Sequence, residues 1–166
     1  MKRSRHAKSK LLIPNKPAMR RGSPLFKPDY SPVRMLKLGV FGGNYFADAK
    51  PEDFDGLGAA ERLATLNRST FDPRANCFGV KAGLPYIDWY NKGWMHEDDP
   101  LGWFHWYCRY YAGRRHSDDS RQIGRWVAYK QRWGDRLQSQ FDAGRPSAVV
   151  MQGLLQWGID PYLGRD

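Results

Sequence analysis

The chain has 166 residues, 41% of them hydrophobic, and a formal net charge of +10, a size that supports one domain with its own core. No apolar run is long enough to cross a bilayer, which argues against a membrane protein or a membrane partner. The two cysteines, Cys77 and Cys108, cannot build a disulfide framework. The basic N-terminus also lacks the apolar segment of a secretory leader, so the expected location is a reducing cytoplasm.

The charge is unevenly distributed. Residues 1–37 hold six Lys and five Arg against Asp29 alone, a net of +10, whereas residues 38–166 hold 16 bases and 16 acids. Five of the eleven prolines also lie in residues 1–34. A segment of this composition buries too little apolar area to offset its ordering entropy. It reads as a basic, flexible arm over residues 1–34 that lies on phosphates and releases counterions. The expected fold over 35–166 is a compact, single, mainly α domain.

LKLGVFGGNYF, which begins at Leu36, reads as a short strand or tight turn entering the core. It lacks the spacing of a phosphate-binding loop. Residues 58–67 suggest a short helix, and residues 84–94 another, with Pro85 in its first turn and Gly93 past its end. Residues 100–112 form the next expected helix, with Asp99 as N-cap, Pro100 in the first position and Gly113 after the end. Ser117 reads as the cap of a long helix over 118–142, with Asp118 and Asp119 in the first turn, where the helix dipole favours carboxylates. A last helix is expected from Pro146.

Two of these helices carry the candidate chemistry. Six of the nine residues from Trp103 to Tyr111 are aromatic. Trp103, Trp106, Tyr107 and Tyr110 share one face, with Phe104 beside it. Rings at this spacing usually form core, yet their hydroxyl and indole N–H groups all need partners, which a pocket wall supplies more readily. In the long helix, Ile123, Trp126, Trp133, Leu137 and Phe141 form the stripe to be buried. Arg121, Arg125, Arg132 and Arg136 cluster within about 60° on nearly the opposite side. Residues 109–136 hold seven Arg, Lys130 and only three acids. That excess can be a solvated face, or a set of guanidinium forks for phosphates that includes Arg109, Arg114 and Arg115. Aromatic faces alternating with Arg are what proteins use to stack an unpaired base beside its phosphates. Glu97, Asp98 and Asp99 form an acidic run that reads as capping, or as a general base or ligands for Mg²⁺ near a diphosphate. His96 and His105 lack metal-ligand spacing with cysteines or carboxylates, which argues against zinc.

The segment DPLGWFHWYCRYYAGRR, followed by DDSRQIGRW, resembles a family of small proteins found in phages, bacteria, fungi and algae that share a D-P-x-G-W-F-x-W-Y-C-R-Y-Y-x-G-R-R core. The similarity runs from LGVFGGNYF at 38–46 through KGW at 92–94 to LLQW at 154–157. That family in turn looks like the small helical amino acid:DNA transferases of phage thymine hypermodification, which are similar to DNA glycosylases in their helical make-up. The resemblance implies a DNA partner and an amino acid co-substrate. The reaction replaces the pyrophosphate of 5-(pyrophosphoryloxymethyl)uracil with the amino group of an amino acid, and no catalytic residue carries over by alignment. On the residues alone, Trp103, Trp106, Tyr107 and Tyr110 would line a base site, and Arg109, Arg114, Arg115, Arg121 and Arg125 would clamp phosphates. Asp98, Asp99, Asp118 or Asp119 would act as base or metal ligand. The competing classes are a non-catalytic DNA-binding protein and a glycosylase-like hydrolase acting on a flipped base.

Overall fold

The structure is a computed structural model that describes residues 22–45, 71–84 and 86–165. Among the described residues there are five α-helices and no strand: α1 (Pro32–Lys37), α2 (Tyr86–Asn91), α3 (Trp103–Tyr111), α4 (Asp119–Asp142) and α5 (Ala148–Gln156). One 3-10 turn lies at Pro73–Ala75. The mainly α expectation holds. The helix expected at 58–67, and residues 1–21 of the basic arm, lie outside the described residues.

α3 is the centre of the molecule: α1 and α4 pack against it, and α5 packs against α4. Its residues from Trp103 to Cys108 are all buried, as is Tyr110. The amphipathic period of α4 turns Ile123, Trp126 and Leu137 into the same core. α5 crosses α4 closely at Gly153, where a Cβ would stand 2.6 Å from the Tyr129 hydroxyl. A larger side chain there would push the Tyr129 hydroxyl aside. After α1, residues 38–43 of the LKLGVFGGNYF stretch are a run of turns that buries Val40, whose carbonyl accepts from Gln152 Nε2 at 2.8 Å.

The folded part of the chain starts earlier than its composition suggests. Residues 22–34 belong to the folded domain, with Phe26 1% exposed and Tyr30 4% exposed. The Phe26 ring sits within 6.1 Å of the rings of Trp103, Trp106, Tyr107, Tyr110 and Trp126. Backbone bonds from Asp29 and Tyr30 to the Gly158 carbonyl, at 2.7 and 3.2 Å, fix this segment to the residues after α5. A turn at 24–25 and a bend at 29–30 shape this segment, and a few large apolar residues supply the burial.

The helix starts also shift. α3 begins at Trp103, with Gly102 before it at φ 101°, a conformation that favours glycine. Asp99 and Pro100 therefore lie outside the helix, in two successive turns closed by Asp99 N–H on the His96 carbonyl and Gly102 N–H on the Asp99 carbonyl, both at 3.0 Å. Asp118, not Ser117, precedes α4, and Asp119 is its first residue. α5 starts after Ser147, whose hydroxyl accepts from Val150 N–H, rather than at Pro146.

Candidate nucleic-acid interface

The aromatic helix is core. Trp106 and Tyr107 are 0% exposed, Tyr110 2% and Trp103 6%. The polar tips of three of them find internal partners. Tyr107 donates to the Tyr30 carbonyl at 2.8 Å, Tyr110 accepts from Ser23 N–H at 2.8 Å, and Trp106 Nε1 donates to Asp119 at 2.8 Å. The expected base site on this face is thus filled by the protein, with Phe26 at its centre. A burial argument based on α3 alone overlooks that contribution.

The four carboxylates fall into different roles. Asp99, fully buried, receives Arg114 through two bonds, at 2.8 and 2.5 Å, and Arg109 at 3.1 Å. Asp118 is buried and takes a bidentate fork from Arg121 at 2.5 and 2.8 Å, with Gln122 Nε2 at 3.0 Å. Burial pulls the Asp118 carboxyl upward, but the bonds and charge of Arg121 outweigh it and hold the group below the usual carboxylate range. Asp119 joins the Trp106 indole to His116 N–H, at 2.8 and 2.9 Å. Asp98 is the open one: its side chain is 52% exposed, with one oxygen 2.7 Å from His116 Nε2. Arg109 also donates to the Asp98 carbonyl. Three of the four proposed acids thus serve as anchors, and Arg109 and Arg114 hold Asp99.

The arginines of α4 differ in kind. Arg121 is tied to Asp118 and remains 39% exposed at its side chain. Arg125 is half-buried, its guanidinium 5.4 Å from the Trp94 ring and 5.5 Å from the Trp157 ring. It donates to Gln122 at 2.9 Å and the Trp94 carbonyl at 3.3 Å, and no carboxylate forms an ion pair with it among the described residues. Burial, with the neighbouring Arg121 charge, pulls its pKa down to about 10. Trp157 stacks on Tyr129, with centroids 4.6 Å apart and planes 17° from parallel. Further along, Arg132 and Arg136 are exposed over the Trp133 ring at 5.6 and 5.2 Å. Arg115 lies over Tyr110 at 3.9 Å. Partly exposed rings on or near α4 include Trp94, Tyr129, Trp133, Phe141 and Trp157, each within reach of a guanidinium or of one another. Cation–π contacts hold these forks in place without neutralising them. Sequence reasoning placed Trp133 in the buried stripe and left Trp94 and Trp157 out of the site. The only signal for Trp94 was an indole flanked by charge in KGWMHEDD.

His116 was also overlooked. It brings a second imidazole to Asp98 from 18 positions away, and its ring meets that of His96 at 5.1 Å, edge to face. No family model, curated protein or solved structure matches this chain.

Proposed function

We propose that this protein binds DNA on the α4 face and acts there as a base-modifying transferase, replacing the pyrophosphate of 5-(pyrophosphoryloxymethyl)uracil with an amino acid. The observation that carries the DNA part is Arg125, a desolvated guanidinium between two indoles with no ion-pair partner among the described residues. A half-buried guanidinium whose hydrogen bonds go to neutral acceptors, with only the charge of Asp118 (already paired with Arg121) near it, would gain from a bidentate bond to a phosphate. Arg121, Arg132 and Arg136 extend the same strip, and Trp94, Trp133 and Trp157 offer rings on which an unpaired base stacks. In the reaction, the neutral amine nitrogen bonds to the exocyclic methylene carbon, and the C–O bond breaks with its electron pair leaving on pyrophosphate. The amine then gives up a proton, and the exposed Asp98–His116 corner is the group open to take part. The specific chemistry rests on the family resemblance.

A second reading, a DNA-binding protein without chemistry, is favoured by one observation: Asp99, Asp118 and Asp119 are all engaged as anchors. Two measurements separate the readings. Arg125→Met keeps the stem packing and removes the fork, so DNA affinity should fall by about 1–3 kcal/mol with folding retained. Mass spectrometry of nucleosides from pyrophosphorylated DNA, incubated with the protein and amino acids, should show a new aminoacyl base. Normal DNA binding by Arg125→Met refutes the α4 site. Binding without a new base leaves the non-catalytic reading, and release of free base would point to a hydrolase.

A further inference from the structure

We infer that His96, Asp98 and His116 form a binding site for a zinc-like divalent transition-metal ion. One donor atom from each side chain lies within 4.8 Å of the others. His116 Nε2 and His96 Nδ1 stand 2.7 and 3.7 Å from the same Asp98 oxygen. The three arrive from two separate segments, the turn at 96–99 and the loop before α4, and each segment is held independently of any ion. The turn is closed by the Asp99 N–H bond to His96 and clamped from below by Arg114 on the buried Asp99 carboxylate. The loop is held by His116 N–H on Asp119, itself fixed by the Trp106 indole. Donors converging on a scaffold that does not need the metal are the usual support around a metal centre.

The donor set selects the ion. Two imidazoles and one carboxylate suit zinc, cobalt or nickel, whereas Mg²⁺ prefers an all-oxygen shell. Three protein ligands also leave a position for water or a substrate oxygen, as at catalytic zinc sites. Two bonds within the cluster must change. The Nδ1 atoms of His96 and His116 accept N–H bonds from Asp98 and Asp118 at 3.1 and 3.2 Å. Coordination through His116 Nε2 shifts that ring's proton to Nδ1, and the Asp118 contact is given up. The side chains are partly open, His96 at 28% and His116 at 20%, so an ion can enter.

The site shares Asp98 and His116 with the proton-accepting corner proposed above, and a bound ion would occupy the lone pairs which that step uses; the test contains no DNA, so its outcome is read apart from the DNA reading. The full chain, stripped with EDTA and dialysed, is titrated with Co²⁺ and then Zn²⁺ and followed by visible absorption and calorimetry. The expected result is one Co²⁺ per chain with ligand-field absorption, displaced by Zn²⁺, and no comparable binding of Mg²⁺. His96→Ala, His116→Ala and Asp98→Asn should each weaken binding by at least about tenfold, while His6→Ala leaves it intact. Asp98→Asn keeps the side-chain size and the backbone carbonyl on Arg109, so it tests the site even if a histidine variant unfolds. Equal affinity in the wild type and Asp98→Asn, loss only in His6→Ala, or equal Mg²⁺ binding would mean an adventitious ion only and would overturn the inference.

Discussion

Replacing Phe26 by Ala tests the most consequential departure from the composition-based reading. The ring is 1% exposed and meets five other aromatic rings at 5.1 to 6.1 Å, three of them edge-on at 78° or more within 5.5 Å. Truncating a buried Phe costs about 3–5 kcal/mol through the transfer energy of the removed atoms and the residual cavity. The upper half of that range applies here because the surrounding side chains cannot collapse inward. Tyr107, Tyr110, Trp106 and Trp126 are each hydrogen-bonded elsewhere, at 2.8 Å in every case. Edge-to-face pairs add roughly 0.5–1.5 kcal/mol each beyond area. We therefore expect a loss of about 4 kcal/mol and, at roughly 2–4 °C per kcal/mol for a domain of this size, a Tm lower by about 8–16 °C. Phe26→Leu restores most of the volume but not the ring edges, and should lose about 1–2 kcal/mol. Urea unfolding followed by indole fluorescence, with near-UV circular dichroism of the folded state, gives both numbers. A Phe26→Ala loss below about 1 kcal/mol with an unchanged near-UV spectrum would refute the placement of residues 22–34 in the core.

Three further outcomes follow from the same geometry. Asp99→Asn should destabilise the protein by about 3 kcal/mol in thermal melts, because Arg109 and Arg114 lose the buried charge that holds them; a neutral result would show that the pair is not a structural anchor. Tyr107→Phe leaves the Tyr30 carbonyl without its buried donor and should lose about 1–2 kcal/mol of stability while DNA affinity stays unchanged. A variant that is equally stable but impaired in binding would restore the aromatic helix as a ligand wall. Removing residues 1–21 deletes eight Lys and Arg and no acid while keeping Phe26. The log–log salt slope for DNA binding should then become shallower by about 0.9 for each phosphate that the arm had neutralised, and an unchanged slope would exclude a role for the arm.

The helices were legible because their signals are local. The 3.6-residue period of α4 marks most of its buried side, apart from Trp133, and the aromatic block of α3 marks a helix, though not that it is buried from Trp103 to Cys108. What escaped depended on partners distant in sequence. Phe26 and Tyr30 are isolated apolar residues among prolines, so no period marks them, and they are buried only because α3 offers them a socket 77 or more positions away. Asp99 has the local appearance of a cap, an ordinary use of Asp before Pro. Arg109 and Arg114, one turn and a loop further on, claim it instead. His116 could be linked to Asp98 only once the turn at 96–99 and the loop before α4 had been brought side by side. The Arg stripe was visible as an excess of charge. Its division into Arg121, paired with Asp118, and Arg125, which forms no ion pair among the described residues, depended on where Trp94 and Trp157 come to rest.

The junction of Asp29 and Tyr30 with Gly158 also constrains how the molecule is made. Asp29 accepts from Asp160 N–H across 131 positions, and its own N–H reaches the Gly158 carbonyl. On a ribosome, Phe26 emerges long before the rings that enclose it, and the bonds that secure its segment arrive only after α5. Contacts of such span make closure slow, since the whole intervening loop must be brought together first. During synthesis, the contacts of Asp29 and Tyr30 with Gly158 and Asp160 can form only once the chain beyond α5 has been made, so residues 22–34 leave the ribosome before their full set of partners exists.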